Sequence, residues 1–383
     1  MKAIRQINFI DILIIVVGIA FALGIRYSLL DFKSIDFFKY TKVWYNTVKE
    51  NGFSAFSQNF SNYNPPYLYL LYLIARIFPD IPGLIATKLP SLIADFILAG
   101  FTYRIVRIKY FDSPYPLFAA FAVLFAPTII LNSAFWGQAD ALYSSALIGA
   151  IYFILIKKYG LAMLMLGISI SFKAQAVFIF PLLLALFWRK EISWKYFLII
   201  PVIMLVALVP AWIAGRSLMD LLLIYPSQAG QYELLTMHAP SMFAWIPDTG
   251  RFYPYFYPVG LIIAAVAGLF FSIVVYKSRK ELTPAILVEL ALISVIMMPF
   301  FLPKMHERNF YPADILSIIF AFYFPRFFFV PIAMSVISFF SYQPTLFNVE
   351  PVSISLLALL VLSLIIVLNR DAIVRLFDQG QET

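Results

Sequence analysis

The densest set of groups able to do chemistry is Pro303-Lys304-Met305-His306-Glu307-Arg308-Asn309-Phe310-Tyr311-Pro312. Lys304, His306 and Arg308 place three potential cations within five residues. Arginine offers a planar fork matched to phosphate oxygens, and histidine can donate or relay a proton. Glu307 stands where it can orient either one. The set suits a phosphate held at the end of an apolar span, or alternatively a patch that reads lipid headgroups. Asp36 lies in the first polar stretch, Ser34-Ile35-Asp36-Phe37-Phe38-Lys39-Tyr40. A carboxylate there can act as general base toward an attacking hydroxyl. It can equally be a solvated acid paired with Lys33 or Lys39.

Three further groups have side chains of the right kind. Asn132-Ser133-Ala134-Phe135-Trp136-Gly137-Gln138-Ala139-Asp140 joins two apolar runs. Trp136 offers a stacking face for a sugar ring, and Gln138 and Asp140 offer partners for hydroxyls. The plainer alternative is an interfacial Trp anchor, with Asp140 capping the helix that starts at Ala141. Lys173 and Gln175 lie between two short apolar runs. Lys173 either snorkels to the interface or reaches a lipid-linked phosphate. Tyr225 to Tyr232, with His238 and Trp245, either lines an acceptor site or rests on the interface.

The elements that must position these residues are membrane-spanning. The 383 residues are 62% hydrophobic and 13% charged, with a mean hydropathy of +0.88. That charged share is about half the usual one for a soluble domain. The composition predicts a single polytopic, all-α domain over residues 1–383. Apolar runs near the roughly 20 residues needed to span hydrocarbon fall at 7–27, 84–106, 117–133, 139–156, 160–172, 175–188, 195–214, 257–276, 284–302, 312–325, 327–342 and 352–369. This gives roughly twelve crossings. The 160–172 and 175–188 pair is expected to form a hairpin of short helices with a polar tip. The first run reads as a retained anchor rather than a cleaved signal.

Tyr67 to Phe78 is apolar but short. If it dips without crossing, Lys2, Arg5, Arg104, Arg107, Lys109, Lys157, Lys158, Arg189, Lys190, Lys277, Arg279, Lys280, Arg370 and Arg375 all fall on one side. The positive-inside rule prefers that arrangement and makes both termini cytoplasmic. The net charge of +8 then reports topology rather than nucleic-acid binding. The polar stretches are expected on the extracytoplasmic face: a first loop over 28–83 with an embedded segment and short juxtamembrane helices, a second large loop over 215–256, and the turns near 132–140, 173–175 and 302–311. No Cys is present and only two His, so thiolate chemistry is excluded and a histidine-rich metal centre is not expected. No P-loop or internal repeat is visible.

Taken in order, these motifs resemble the GT-C superfamily of integral-membrane glycosyltransferases. They are most similar to the mannosyltransferases related to the enzyme that adds the second mannose of GPI anchors. The resemblance rests on Asp36, Trp44 and Gly52, on Asn64-Pro65-Pro66-Tyr67 and on Trp136-Gly137-Gln138-x-Asp140. It rests also on Phe172-Lys173-x-Gln175 with Pro181, and on Met305-His306-Glu307-Arg308. A His-Glu-Lys motif at a similar place marks the dolichyl-phosphate-glucose-dependent glucosyltransferases; here Arg308 keeps the cation.

The resemblance implies a GT-C helical bundle and a polyprenyl- or dolichyl-phosphate monosaccharide donor. It implies an inverting single displacement, with mannose moving to a glycolipid, glycan or protein acceptor. Asp36 would be the base. His306 and Arg308, with Lys304 and Lys173, would hold the donor phosphate. Trp136, Gln138, Asp140, Gln175, Glu307, Asn64 and Tyr311 would shape the sugar pocket. No cofactor or metal is expected, because the acids are scattered. Two rival readings stand beside this one: a transporter or flippase of lipid-linked sugars, and a non-catalytic assembly subunit. Neither rival needs these groups to converge at one end of the bundle.

Overall fold

The computed structural model describes residues 9–378; Lys2 and Arg5, which entered the expected orientation, lie outside the described residues. Among the described residues, seven helices are long and apolar enough to cross a membrane: Phe9–Ser28, Gly83–Lys109, Trp194–Ile213, Tyr253–Lys277, Pro284–Phe301, Pro325–Phe347 and Ile354–Phe377. Tyr115–Leu124 and Pro127–Trp136 make an eighth if their 46° bend is counted within one span. Pro127 explains the break, because a proline cannot donate to the preceding turn.

The expected number of crossings was larger because several apolar runs form helices that are too short. Asp140–Leu155, Tyr159–Phe172 and Tyr311–Tyr323 have 16, 14 and 13 residues. At 1.5 Å per residue none reaches across a hydrocarbon layer of about 30 Å unaided. They sit in the centre of the bundle, where protein shields their ends from lipid. In Asp140–Leu155 only Tyr152 and Phe153 are not fully buried. Phe9–Ser28 is the reverse: 11% of its apolar stretch is inside the protein, against 72% of Pro284–Phe301.

Local sequence sets the boundaries. Prolines open Pro65–Ile77, Pro127–Ile130 and Pro284–Phe301, at positions where the missing N–H costs nothing. The Thr283 and Ser353 hydroxyls accept from the N–H groups of Ile286 and Leu356. Lipid gives little hydrophobic drive to helix association, so close approach at small residues matters. A Cβ at Gly167 would stand 2.8 Å from Ile203 Cβ, so only glycine lets Tyr159–Phe172 lie this close to Ile199–Ile213.

The segment expected as a hairpin diverges instead. Tyr159–Phe172 packs on Asp140–Leu155 and Ile199–Ile213, whereas Phe180–Trp188 packs on Tyr253–Lys277. Lys173 is extended between Tyr159–Phe172 and the 3₁₀ turn Ala174–Ile179. The short apolar run in the first loop forms the helix Pro65–Ile77. Asn64 hydrogen-bonds near the end of Tyr159–Phe172, and Tyr45 and Lys49, on the helix Lys42–Asn51, reach Ile81 O and Pro79 O.

The second loop contributes Leu218–Leu222, Ile224–Gly230 and a two-residue strand, Thr236–Met237. That strand pairs in parallel with Met305–His306, a small addition to an otherwise helical fold. The far end of the bundle is basic and internally tied. Lys109 Nζ donates to Tyr323 O at 2.7 Å, Arg189 to Lys280 O at 2.7 Å, and Arg375 pairs with Glu289 at 3.2 Å.

The start of Gly83–Lys109 holds the first loop in place. The Lys88 ammonium, 1% exposed, donates to Leu30 O at 2.8 Å, Phe32 O at 2.9 Å and Leu29 O at 3.4 Å. These carbonyls follow the last turn of Phe9–Ser28 and have no helical N–H to accept from. Lys88→Met is expected to lower stability by about 2–3 kcal/mol and to expose the 29–36 segment to proteolysis. Thermal melts and limited proteolysis in nanodiscs would refute the clamp if both matched wild type.

Candidate active site

Asp36 stands at the start of the π turn Phe37–Thr41, just after Ser34. Ser34 ties two segments together. Its hydroxyl donates to Trp136 O at 3.0 Å and accepts from Phe37 N–H at 3.2 Å. Trp136 Nε1 and Gln138 Nε2 then both donate to Asp36 Oδ2, at 2.9 and 2.6 Å. Gly137 makes this convergence possible. Its φ of +80° closes the turn between the two donors, and a side chain there would meet Lys88 Cγ at 3.2 Å. With both donors on Oδ2, Oδ1 is the oxygen left to accept a proton. The carboxylate is half-buried and held in one orientation, as a general base requires.

Asp140 is the first residue of Asp140–Leu155, one past the cap position, which Ala139 occupies. It organises cations instead. Lys173 Nζ lies 2.6 Å from Oδ1, Asn132 Nδ2 donates to Oδ2 at 3.0 Å, and Arg308 Nε is 3.7 Å from Oδ2. Arg308 also lies over the Trp136 ring at 5.4 Å and donates to Glu307 Oε1 at 2.8 Å. His306 Nδ1 is 3.8 Å from Glu307 Oε2. Asp36, Trp136, Gln138, Asp140, Lys173, His306, Glu307 and Arg308 therefore form one connected network. Aromatic rings wall it: Tyr63 and Tyr143 near Lys173, Tyr342 against Trp136, and Tyr232 edge-on to His306.

The electrostatics are those of a site short of one positive charge. Burial alone would raise the Glu307 carboxyl, but His306 and the Arg308 charge outweigh it and hold it down at about 2. Arg308 is pushed up despite its burial, by Glu307 first and then Asp140. Three acids thus face two permanent cations. Lys173, His306 and Arg308 keep 11%, 27% and 17% of their side-chain surface accessible.

The other residues singled out by sequence lie around this core. Asn64 is a buried brace: its Nδ2 donates to Ser171 O and to the Tyr225 hydroxyl, each at 3.0 Å. It thereby fixes the turn that carries Lys173. Gln175 is half-buried in the 3₁₀ turn that follows. Lys304 takes another direction, with its ammonium over the rings of Tyr253 at 4.7 Å and Tyr257 at 5.0 Å. Tyr311 is fully buried in the bundle, so it belongs to the floor of the site rather than to a surface that a sugar would touch.

Several residues that build the site were not among the sequence candidates. Lys88 and Asp95 are the clearest, and each is a charge inside an apolar helix, a signal of function or pairing in a membrane. Ser34, Ser91 and Asn132 carried no such mark. Ser91 Oγ donates to Gln138 O at 2.6 Å. Among the described residues no group of three or more His, Asp and Glu side chains is placed to hold a metal ion.

The fold is that of a polytopic, all-α membrane protein that gathers its polar side chains at one end. A solved structure that it is similar to is the crystal structure of ArnT from Cupriavidus metallidurans bound to undecaprenyl phosphate. The TM-score is 0.56 at 14% identity, over 94% of this chain and 77% of that one. Neither a protein-family model nor a curated protein matches the sequence.

Glu307 provides a pH test of the network. Its carboxyl lies below the ordinary glutamate value, so its contribution to stability is complete above about pH 5 and is lost as pH falls toward about 2. Glu307→Gln should melt lower than wild type at neutral pH. It should also show a flatter loss of melting temperature between about pH 5 and pH 3. Parallel melting curves for the two proteins across that range would contradict the assignment.

Proposed function

We propose that this chain is a glycosyltransferase that moves a hexose from a polyprenyl- or dolichyl-phosphate sugar to a glycolipid, glycan or protein acceptor. The observation that carries the reading is the joining of a fixed carboxylate to a cation cluster. Asp36 is oriented by Trp136 and Gln138, and the same Trp136 ring lies under Arg308. One site can therefore take a proton and receive a phosphate. The fold likeness to a structure that holds undecaprenyl phosphate supports a polyprenyl-phosphate donor, with its tail among the outer helices.

In this reading the acceptor hydroxyl attacks the anomeric carbon and gives its proton to Asp36. The bond from that carbon to the phosphate oxygen breaks, and its electron pair leaves with the lipid phosphate. Arg308, His306 and Lys173 meet the charge that develops there, the kind of preorganised stabilisation that contributes most to such steps. A single positioned base with no covalent intermediate gives inversion at the anomeric carbon. The reaction as read needs no metal, since these cations supply the positive charge.

The motif resemblance favours mannose as the sugar. The basic far end of the bundle favours a cytoplasmic position for that end and for both termini, with the site on the extracytoplasmic face.

The test is transfer by purified protein in lipid, offered radiolabelled polyprenyl-phosphate mannose and glucose with a panel of acceptors. Asp36→Asn is expected to reduce transfer or slow donor hydrolysis by about 10²–10⁴-fold while donor binding persists. His306→Ala is expected to weaken donor binding about tenfold, near 1.4 kcal/mol. If wild type neither transfers nor hydrolyses either donor, and Asp36→Asn changes nothing, the reading is wrong.

A further inference from the structure

Two tyrosine hydroxyls meet where the two halves of the site face each other. Tyr40 belongs to the π turn Phe37–Thr41, which begins directly after Asp36. Tyr232 belongs to the second loop and precedes the strand that pairs with Met305–His306. Its ring stands edge-on to His306, with centroids 6.0 Å apart. The two hydroxyl oxygens are 3.4 Å apart. The pair thus runs from the turn beside the base to His306 in the cation cluster. The Tyr232 hydroxyl also feels the charges of both Asp36 and Arg308. Both tyrosines are half-buried, so each keeps accessible surface.

Hydrogen-bond counting shows what the pair lacks. A hydroxyl has one proton to give and two lone pairs. Gln231 Nε2 donates to the Tyr232 oxygen at 3.4 Å, and one hydroxyl of the pair donates to the other. Whichever tyrosine donates, the other's proton has no acceptor among the described residues, and lone pairs are left over as well. The contact is longer than the about 2.5–3.0 Å of a firm O–H···O bond, so a better partner can displace it. The bond to Tyr40, and then burial, push the Tyr232 hydroxyl up to about 12, so near neutral pH it is an uncharged donor. In the transfer read above, the donor's phosphate lies against Arg308, His306 and Lys173, and the attacked carbon lies between that phosphate and Asp36. The group left beside the tyrosine pair is then the sugar ring. Its hydroxyls accept and donate, which matches a pair with one spare proton and spare lone pairs.

We propose that Tyr232, steadied by Tyr40, donates to one hydroxyl of the transferring hexose and so helps to set which sugar the site takes, an inference that rests on the transfer reading. A site that hydrogen-bonds a substrate hydroxyl rejects the analogue lacking it, because the protein group is then left unpaired. Part of the sugar choice then resides in the second loop.

The experiment uses the full chain in nanodiscs with polyprenyl-phosphate mannose, polyprenyl-phosphate glucose and the singly deoxygenated forms of each. Donor Kd, and kcat/KM for transfer or donor hydrolysis, are measured separately for wild type, Tyr232→Phe and Tyr40→Phe. Tyr232→Phe keeps the ring against His306 and removes only the hydroxyl. For the better sugar, wild type should lose about tenfold or more on one deoxy form. Tyr232→Phe should lose a similar factor on the parent sugar and almost nothing further on that deoxy form, so the two losses do not multiply. A general disturbance of the site would lower all donors alike. Equal discrimination among deoxy forms in wild type and Tyr232→Phe, or none in wild type, overturns the proposal. Tyr40→Phe decides if Tyr232→Phe fails to fold: it should shrink the same discrimination, and leaving it intact overturns the proposal. If wild type binds the donors but consumes none, while Tyr232→Phe erases the discrimination in Kd, the transfer reading falls and the sugar contact stands. Turnover with discrimination untouched in both variants does the reverse. No binding of any donor overturns both.

Discussion

The site depends on one seam: the backbone at 136–138 held against the chain at 34–36. Asp36 gains its orientation only because Trp136 and Gln138 project to the same carboxylate oxygen. Their positions are set by the contacts of Ser34 with Trp136 O, Ser91 with Gln138 O, and Lys88 with the carbonyls of Leu29, Leu30 and Phe32. Each of these bonds joins segments from different helices. A loose loop would leave Asp36 an ordinary solvated acid. Pinned to the seam, it becomes a carboxylate with one occupied and one available oxygen.

The other half of the site has a different problem, because it must keep cations unquenched yet fixed. Bare charges this deep would be expensive, and pairing them fully with acids would leave nothing for a ligand. The arrangement falls between these limits. Asp140 takes Lys173 at 2.6 Å but stands 3.7 Å from Arg308, and Glu307 holds Arg308 while lying 3.8 Å from His306. The strand pairing of Thr236–Met237 with Met305–His306 brings the second loop against the same group. Tyr232, four residues before that strand, lies edge-on to His306.

Much of this was legible in the sequence where chemistry and spacing coincide. Asp36, the Trp136 to Asp140 motif, Lys173 and the His306 to Arg308 run were identifiable because polar groups stand out against apolar spans. Their convergence in space followed from the expectation that the intervening stretches return to one face. Roles were harder to read than membership. Asp140 looked equally like a helix cap, and only the position of Lys173 across the bundle shows which use its carboxylate has. Lys304 sits two residues from His306, but the positive φ at Lys304 accompanies a side chain directed at Tyr253 and Tyr257. Short apolar runs such as Asp140–Leu155 read as spans because hydropathy does not distinguish a helix surrounded by protein from one surrounded by lipid.

Lys88, Arg26 and Asp95 show why charged residues persist inside the bundle. Phe9–Ser28 is almost entirely lipid-facing, so packing alone does little to fix its height or rotation. Arg26 supplies the missing constraint: its guanidinium donates to Asp95 at 2.9 Å and to Leu124 O at 3.0 Å. Asp95 in turn accepts from Ser133 at 2.6 Å, in the turn that leads to Trp136. The first helix is thus referenced to the very segment that will orient Asp36, ten residues further along the chain than Arg26. Hydrophobic contact between a helix and lipid is indifferent to sliding, whereas a buried ion pair has one register. Polar pins at Arg26 and Lys88 therefore convert a poorly packed outer helix into a fixed support for the carboxylate.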